Sequence, residues 1–195
     1  MRRAVLAELD LPTFKEPTVE PRIGAETYAD RMSRLYERAV EEGLQALVVY
    51  GDREHSANLA YLTGYDPRFE ESILVMDVLK RSASLVVGHE GMGYLPISPI
   101  RESLRPVLWQ GLSLMGQERA GTRPLREILL EAGVDWGDRV GVIGWKYFTA
   151  QEAEDPGHWI EALSFLVDAL RGIVGYQNVV MPTASQCTPR RGSEP

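Results

Sequence analysis

The segment that is most informative about the fold reads Gly51-Asp-Arg-Glu-His-Ser-Ala-Asn-Leu-Ala-Tyr-Leu-Thr-Gly-Tyr-Asp-Pro-Arg-Phe-Glu-Glu71. It connects an apolar run at 44–50 to a second apolar run at 72–76, and both have the length and composition of buried strands. In open α/β sheets, the loops at the carboxyl ends of strands bind ligands or partners. The segment is therefore the candidate contact region, and its polar candidates are Asp52, His55, Asn58, Arg68 and Glu70.

The same polar residues also have a purely structural interpretation. Asp52 and Asn58 are of the residue types that cap turns and helices by accepting backbone N–H hydrogen bonds. Arg68 and Glu70 could form an exposed ion pair, which contributes little to stability. The residue types alone do not favour either interpretation over the other.

The rest of the chain alternates between helical and strand patterns. Predicted helices cover residues 25–42, 53–62, 124–130 and 160–174, and predicted strands cover 44–50, 72–76, 83–87, 105–109 and 139–143. The apolar face of the first helix includes Val40, and that of the last includes Ala162 and Phe165. This order predicts an α/β fold with a mixed β-sheet flanked by helices.

The length of 195 residues predicts one substantial folded domain. Residues 1–25 contain three prolines and little periodicity, which indicates an extended N-terminal arm. We expect the folded domain to cover residues 26–182. After Pro182 the composition becomes polar and aperiodic, which predicts a disordered tail over 183–195.

Charge and composition exclude several classes of function. The net charge is −7 and the isoelectric point is about 5.1, which is unfavourable for binding a nucleic-acid backbone. No apolar run approaches the ~20 residues that span a bilayer. Cys187 is the single cysteine, so an intrachain disulfide is impossible. We therefore expect a cytoplasmic protein that binds neither nucleic acid nor membranes.

The motifs of common catalytic sites are missing from the sequence. Gly111 and Gly116 have the spacing of a phosphate-binding loop, but Gln117 and Glu118 stand where Lys and Ser or Thr would follow. The histidines at 55, 89 and 158 are far apart and lack metal-binding spacing. We therefore predict no catalytic residue, no metal site and no cofactor.

The segment 51–71 strongly resembles the N-terminal domain of creatinases and Xaa-Pro dipeptidases and aminopeptidases. Its core, Asn58 to Gly64, has the pattern Asn-x-x-Tyr-Leu-Thr-Gly that is characteristic of this domain. Further matches follow in the family's order, namely Leu85-Val-Val-Gly88, Ser113-Leu-Met-Gly-Gln117, Pro124-Leu125 and Gly141-Val-Ile-Gly-Trp-Lys146. The resemblance covers about residues 28–180.

This resemblance implies a creatinase/prolidase N-terminal domain, a mixed sheet flanked by helices in a ribonuclease-H-like layout. In the family a pita-bread domain follows, which binds two metal ions through Asp, His and Glu or, in creatinase, uses a histidine. Counterparts of those residues do not occur in this sequence. Metal-activated water needs such ligands. The resemblance therefore implies a non-catalytic domain that is not itself an enzyme.

In relatives, this domain forms subunit contacts and often reaches over a neighbour's active site. The implied partners are a second copy of the chain, giving a homodimer, or a pita-bread domain. On the matching segment, Arg68 would pair with a substrate or partner carboxylate. Tyr65 and Phe69 would supply apolar walls beside it.

Three functions remain open from the sequence. The first is a non-catalytic domain for self-association, or for docking and substrate gating on a pita-bread partner. The second is a truncated or split part of a metal-dependent Xaa-Pro peptidase or creatinase-like hydrolase. The third is a small-ligand-binding domain that uses the region from Asp52 to Glu70.

Overall fold

The computed structural model describes residues 7–10, 12, 18, 19 and 21–182. Its helices are Ala25–Glu41 (α1), Ala57–Thr63 (α2), His89–Tyr94 (α3), Leu125–Ala132 (α4) and Ser164–Val174 (α5). Its strands are Ala46–Gly51 (β1), Ser72–Asp77 (β2), Ser82–Val87 (β3), Leu104–Leu108 (β4), Val140–Ile143 (β5) and Val179–Val180 (β6). The predicted disordered tail over 183–195 and part of the predicted arm over 1–25 lie outside the described residues.

The strands form one mixed six-stranded sheet in the order β4-β3-β2-β1-β5-β6. β2 runs antiparallel to both β1 and β3, whereas β4 is parallel to β3 and both β5 and β6 continue the direction of β1. Pro106 lies in β4 at the border of the sheet, where a missing N–H removes no inner ladder hydrogen bond. The predicted α/β fold with a mixed sheet is confirmed.

Both faces of the sheet are buried, which explains why its central strands are continuous apolar runs. Leu47 and Val49 of β1 face one cluster of buried side chains, which includes residues of α1 and α2. Val48 and Tyr50, which alternate with them, face the second cluster, which includes residues of α4 and α5. Burying each large aliphatic side chain contributes about 1.5–3 kcal/mol, so the two apolar layers supply most of the driving force for folding.

Two helices begin later than the sequence pattern predicts. Helix α2 begins at Ala57 rather than at 53, because the Asp52 carboxylate accepts the amides of Glu54 and His55 and holds them in a turn. Helix α5 begins at Ser164 rather than at 160, since Leu163 has an extended backbone (φ −62°, ψ 134°). Before α5, the apolar residues Ile160 and Leu163 continue the helical spacing beyond the true helix start, whereas residues 53–56 before α2 are polar.

The predicted apolar faces of the helices are partly wrong. Val40 and Phe165 are exposed, and Ala162 precedes α5 instead of belonging to it. The short elements α3 and β6 were not predicted, because six and two residues give too little periodicity to recognise. Among the helices that the structure describes, none combines the length and apolarity needed to cross a membrane.

Candidate functional site

One edge of the sheet collects the loops that carry the candidate residues. β1 and β5 are parallel, so their carboxyl ends meet at this edge, and the register pairs Gly51 with the first residue of β2, Ser72. β3 and β4 also end there, because Ser72 pairs with Val87 and Val87 pairs with Leu108. We call this side of the sheet the carboxyl edge. All seven predicted contact residues lie in its β1–β2 connection.

Asp52 is the centre of a hydrogen-bonded turn. Its carboxylate accepts the backbone amides of Glu54 at 2.8 Å and His55 at 2.7 Å, and the Tyr50 hydroxyl at 3.1 Å. Nδ1 of His55 lies 3.0 Å from the same carboxylate. Burial alone would raise the pKa of Asp52, but the hydrogen bonds from His55, Tyr50 and Glu54 outweigh burial and lower it. The turn-capping interpretation of Asp52 is therefore correct.

The His55 ring is held between this turn and a residue that sequence reasoning missed, Trp145. The two rings stack with centroids 4.1 Å apart and an interplanar angle of 23°. Tyr50 touches the same indole at a centroid distance of 5.6 Å. Burial, followed by the Asp52 charge, raises the pKa of the Tyr50 hydroxyl. His55 and Trp145 are 90 positions apart, so no local sequence pattern predicts their contact. The one available signal is that parallel strands such as β1 and β5 end at the same edge of a sheet.

Asn58 connects helix α2 to the end of β5 and does not cap a helix. Its Nδ2 donates to the carbonyl oxygen of Gly144 at 2.6 Å. Gly144 lies so close to the chain before α5 that an added Cβ would overlap the carbonyl oxygen of Glu161. The Asn58 side chain therefore helps to hold three segments together at the carboxyl edge.

Tyr65 and Glu70 are buried, which differs from their predicted role as surface contacts. The Glu70 carboxylate, only 5% exposed as a residue, accepts the amides of Gly91 at 3.0 Å and Leu114 at 3.1 Å. The Tyr65 hydroxyl donates to the Gly91 carbonyl oxygen at 3.3 Å, and burial raises its pKa. Both side chains thus hold α3 and the loop after β4 against the β1–β2 connection.

Arg68 and Phe69 are the two candidates that face solvent. Arg68 lies 3.9 Å from Asp66, so the proposed surface pair with Glu70 is not formed. Phe69 is 55% exposed, and its ring packs edge-on against Tyr94 at 5.4 Å between centroids. Leu114 and Met115 are also exposed and apolar, and they lie on the loop after β4, where the Leu114 amide donates to the carboxylate of Glu70. We define the edge patch as Phe69, Tyr94, Leu114 and Met115.

The remaining histidines are each paired within the domain. Nδ1 of His89 lies 2.9 Å from Oγ of Ser113, and that oxygen also accepts the His89 amide at 3.1 Å. Ser113 is buried, so its hydroxyl is not presented as a nucleophile. His158 pairs with Asp155 at 2.8 Å. Within the described ranges, no group of three or more His, Cys, Asp or Glu side chains could hold a metal ion.

Comparison with known proteins identifies the fold. No family model and no curated protein matches the sequence. Among solved structures, dipeptidase PepE from Mycobacterium ulcerans matches with a TM-score of 0.55 and 16% identity, over 86% of this chain. The chain spans 37% of that dipeptidase's length. At this identity the likeness shows the fold alone, which is the fold that the sequence resemblance predicted.

Two further matches are structures of isolated domains. One is the N-terminal, creatinase/prolidase-like domain of a metallopeptidase from Corynebacterium diphtheriae, with a TM-score of 0.46, 16% identity and coverage of 80% of this chain and 95% of that one. The other is the N-terminal domain of cytoplasmic peptidase PepQ from Mycobacterium tuberculosis H37Rv, with a TM-score of 0.44, 17% identity and coverage of 78% and 90%.

Proposed function

We propose that this chain is a non-catalytic assembly domain of the creatinase and Xaa-Pro peptidase type. It pairs with a second copy of its own fold through the edge patch, and such pairing serves docking and substrate gating on a pita-bread partner. The observation that supports this proposal is the exposure of Phe69 and Met115, at 55% and 91%, beside a buried carboxylate that fixes their loops. Exposed apolar side chains on loops that are joined in this way are candidates for a protein–protein contact site.

The edge patch is pre-organised, which lowers the entropic cost of association. Glu70 follows Phe69 directly in the chain and accepts the amide of Leu114, so one buried side chain fixes both halves of the patch. The same carboxylate accepts the amide of Gly91 in α3, the helix that ends at Tyr94. A surface whose side chains are already positioned loses less conformational freedom on binding.

The polar groups of the same edge support assembly over catalysis or ligand binding. Asp52, Asn58 and Glu70 direct their hydrogen-bonding atoms to the domain's own backbone. A buried carboxylate that already accepts two amides has little capacity left for a substrate. At the solvent-facing end of the segment, the exposed ring of Phe69 lies beside the charged Arg68, and an apolar centre with a polar rim is the anatomy of many interfaces.

Sedimentation of the purified full chain over a range of micromolar concentrations tests the proposal. We expect a concentration-dependent monomer–dimer equilibrium. The double variant Phe69→Ser/Met115→Ser should weaken the dimer by about tenfold or more, since a few buried anchors carry most of the energy of an interface. The matched control is Val40→Ser/Leu79→Ser, which removes two comparably exposed apolar side chains at the opposite edge of the sheet. This control should leave the dimer unchanged.

Two results would contradict the proposal. A chain that stays monomeric throughout, or a control that dissociates as much as the patch variant, would exclude the edge patch as a self-association surface. Stoichiometric divalent metal in the purified chain, or cleavage of an Xaa-Pro dipeptide by it, would contradict its non-catalytic character. Bound metal or peptide cleavage would instead favour the alternative that this chain is part of a metal-dependent hydrolase.

A further inference from the structure

A small cleft opens at the other edge of the sheet, far from the edge patch. It lies between α1 and the first residues of β3 and β4 and encloses about 200 Å³. Its floor is apolar and consists of Met32, Tyr36, Ala83, Ile100 and Leu104. The cleft is smaller than the ~300–1,000 Å³ of typical sites for drug-sized ligands, so only a compact molecule would fit.

Arg81 is the only charged residue that lines this cleft, and its backbone is strained. With φ at +50° it is the one non-glycine residue in the left-handed region within the described ranges. A side chain in this conformation costs energy, which a neutral turn residue such as glycine would avoid. Backbone outliers of this kind occur preferentially at binding and active sites.

The guanidinium of Arg81 is held at the mouth of the cleft without an ionic partner. It lies 5.1 Å from the centroid of the Tyr36 ring, and Nη2 donates to Oγ of Ser33 at 2.8 Å. Within the part of the chain that the structure describes, no carboxylate lies within 4 Å of it. An arginine fixed by an aromatic face and one hydroxyl keeps further N–H donors for a planar acceptor.

The neighbouring acidic groups do not cancel this charge. The charge of Asp77 is felt at the Tyr36 hydroxyl, but Asp77 forms its own ion pair with Lys80, whose Nζ lies 2.7 Å from the carboxylate. Glu37 accepts the Ser33 hydroxyl at 3.2 Å, but it is exposed and does not line the cleft. Arg81 is exposed as well, so water screens both charges and the hydrogen-bonding capacity of the guanidinium is what distinguishes the mouth of the cleft. The cleft therefore combines an apolar floor with a positive mouth.

We propose that this cleft binds a small monocarboxylic acid with a compact apolar body. The carboxylate accepts paired hydrogen bonds from the Arg81 guanidinium, the geometry in which arginine binds carboxylates most strongly. The apolar body rests on the floor formed by Met32, Ile100 and Leu104. This site is independent of the assembly proposal, because it lies at the opposite edge of the sheet.

Calorimetric titration of the full chain with benzoate tests the proposal. Benzyl alcohol has a similar shape but no charge, so it separates recognition of the carboxylate from simple burial of a ring. We expect saturable benzoate binding, and benzyl alcohol should bind at least about tenfold more weakly, the scale of a hydrogen bond to a charged group. Absence of benzoate binding, or equal binding of the two compounds, would overturn the proposal.

Two variants remove the site by different means. Arg81→Gly deletes the cation while relieving the backbone strain, so it should fold and lose benzoate binding by about tenfold or more. Ala29→Phe leaves Arg81 in place and fills the mouth from an exposed position on α1, and it should also abolish binding. Arg68→Ala, a matched loss of an exposed arginine elsewhere, should bind normally. Unchanged binding by Arg81→Gly or by Ala29→Phe would place benzoate outside the cleft and refute the proposal.

Discussion

The carboxyl edge and the β2–β3 hairpin at the opposite edge use their polar residues in contrasting ways. The segment 51–71 at the carboxyl edge is dense in charged and amide side chains, yet Asp52, Asn58 and Glu70 bond to the domain's own backbone. The hairpin is unremarkable in sequence, yet its Arg81 is strained and makes no ion pair with a described residue. The availability of a polar group thus depends on its partners in space and not on its density in the sequence.

The largest effect is expected where the carboxyl edge is packed most tightly, at Gly144. Gly144→Ala would force a methyl group against the carbonyl oxygen of Glu161 and should destabilise the fold by about 3 kcal/mol. Urea denaturation measures this change. Gly172→Ala is the matched control, because it lies in α5 with no atom within 4 Å of an added Cβ. The control should stabilise the fold by up to about 1 kcal/mol, and an equal loss in both variants would contradict the close approach.

Glu70→Gln tests whether the buried carboxylate is used internally. The amide has one oxygen for two backbone donors, so one of the amides of Gly91 and Leu114 loses its acceptor. We expect a loss of about 2 kcal/mol in the free energy of unfolding. Glu102→Gln, at a side chain that is 87% exposed, should change it by less than about 0.5 kcal/mol. A Glu70 variant as stable as the control would mean that this carboxylate is available to a ligand.

Because Arg81 has a positive φ, we expect glycine to be more stable than alanine at this position, which is the reverse of the usual order. Arg81→Gly and Arg81→Ala both lose the contacts with Tyr36 and Ser33, but only glycine relieves a φ of +50°. The glycine variant should therefore be more stable than the alanine variant by about 1 kcal/mol. At the neighbouring Lys80, whose φ is not positive, alanine should be the more stable of the two. The same order at both positions would remove the argument for strain.

The smallest expected effect is the contribution of Asp52 to the pH dependence of the free energy of unfolding. Its folded pKa is lowered, so its contribution to stability is present above the ordinary carboxyl pKa and is lost as the pH falls through the folded value. The stability difference between wild type and Asp52→Asn should therefore shrink in acid. Denaturation series at neutral and acidic pH measure this difference. Tyr50→Phe, which removes one hydrogen-bond donor, should weaken the dependence, and a difference that grows in acid would contradict it.

The fold was predictable because its signals are local. The run Ala46–Gly51 is buried at every residue, so an apolar stretch bounded by polar turns identified the strand directly. The start of α2 was less predictable, because the Asp52 carboxylate accepts the amides of Glu54 and His55 and so holds in a turn two residues that the predicted helix includes. The site was only partly predictable for a related reason. Trp145 stacks on His55 only because parallel strands bring their carboxyl ends together, and Glu70 has no local sign of burial.

Amide hydrogen exchange at low and high protein concentration tests the central claim most directly, because it locates self-association on the chain. We predict that raising the concentration slows exchange at residues 68–70 and 113–116, which carry the edge patch. Exchange in the hairpin at 79–82 should stay the same. Exchange that is independent of concentration throughout, or slowed only in the hairpin, would contradict assembly through the carboxyl edge.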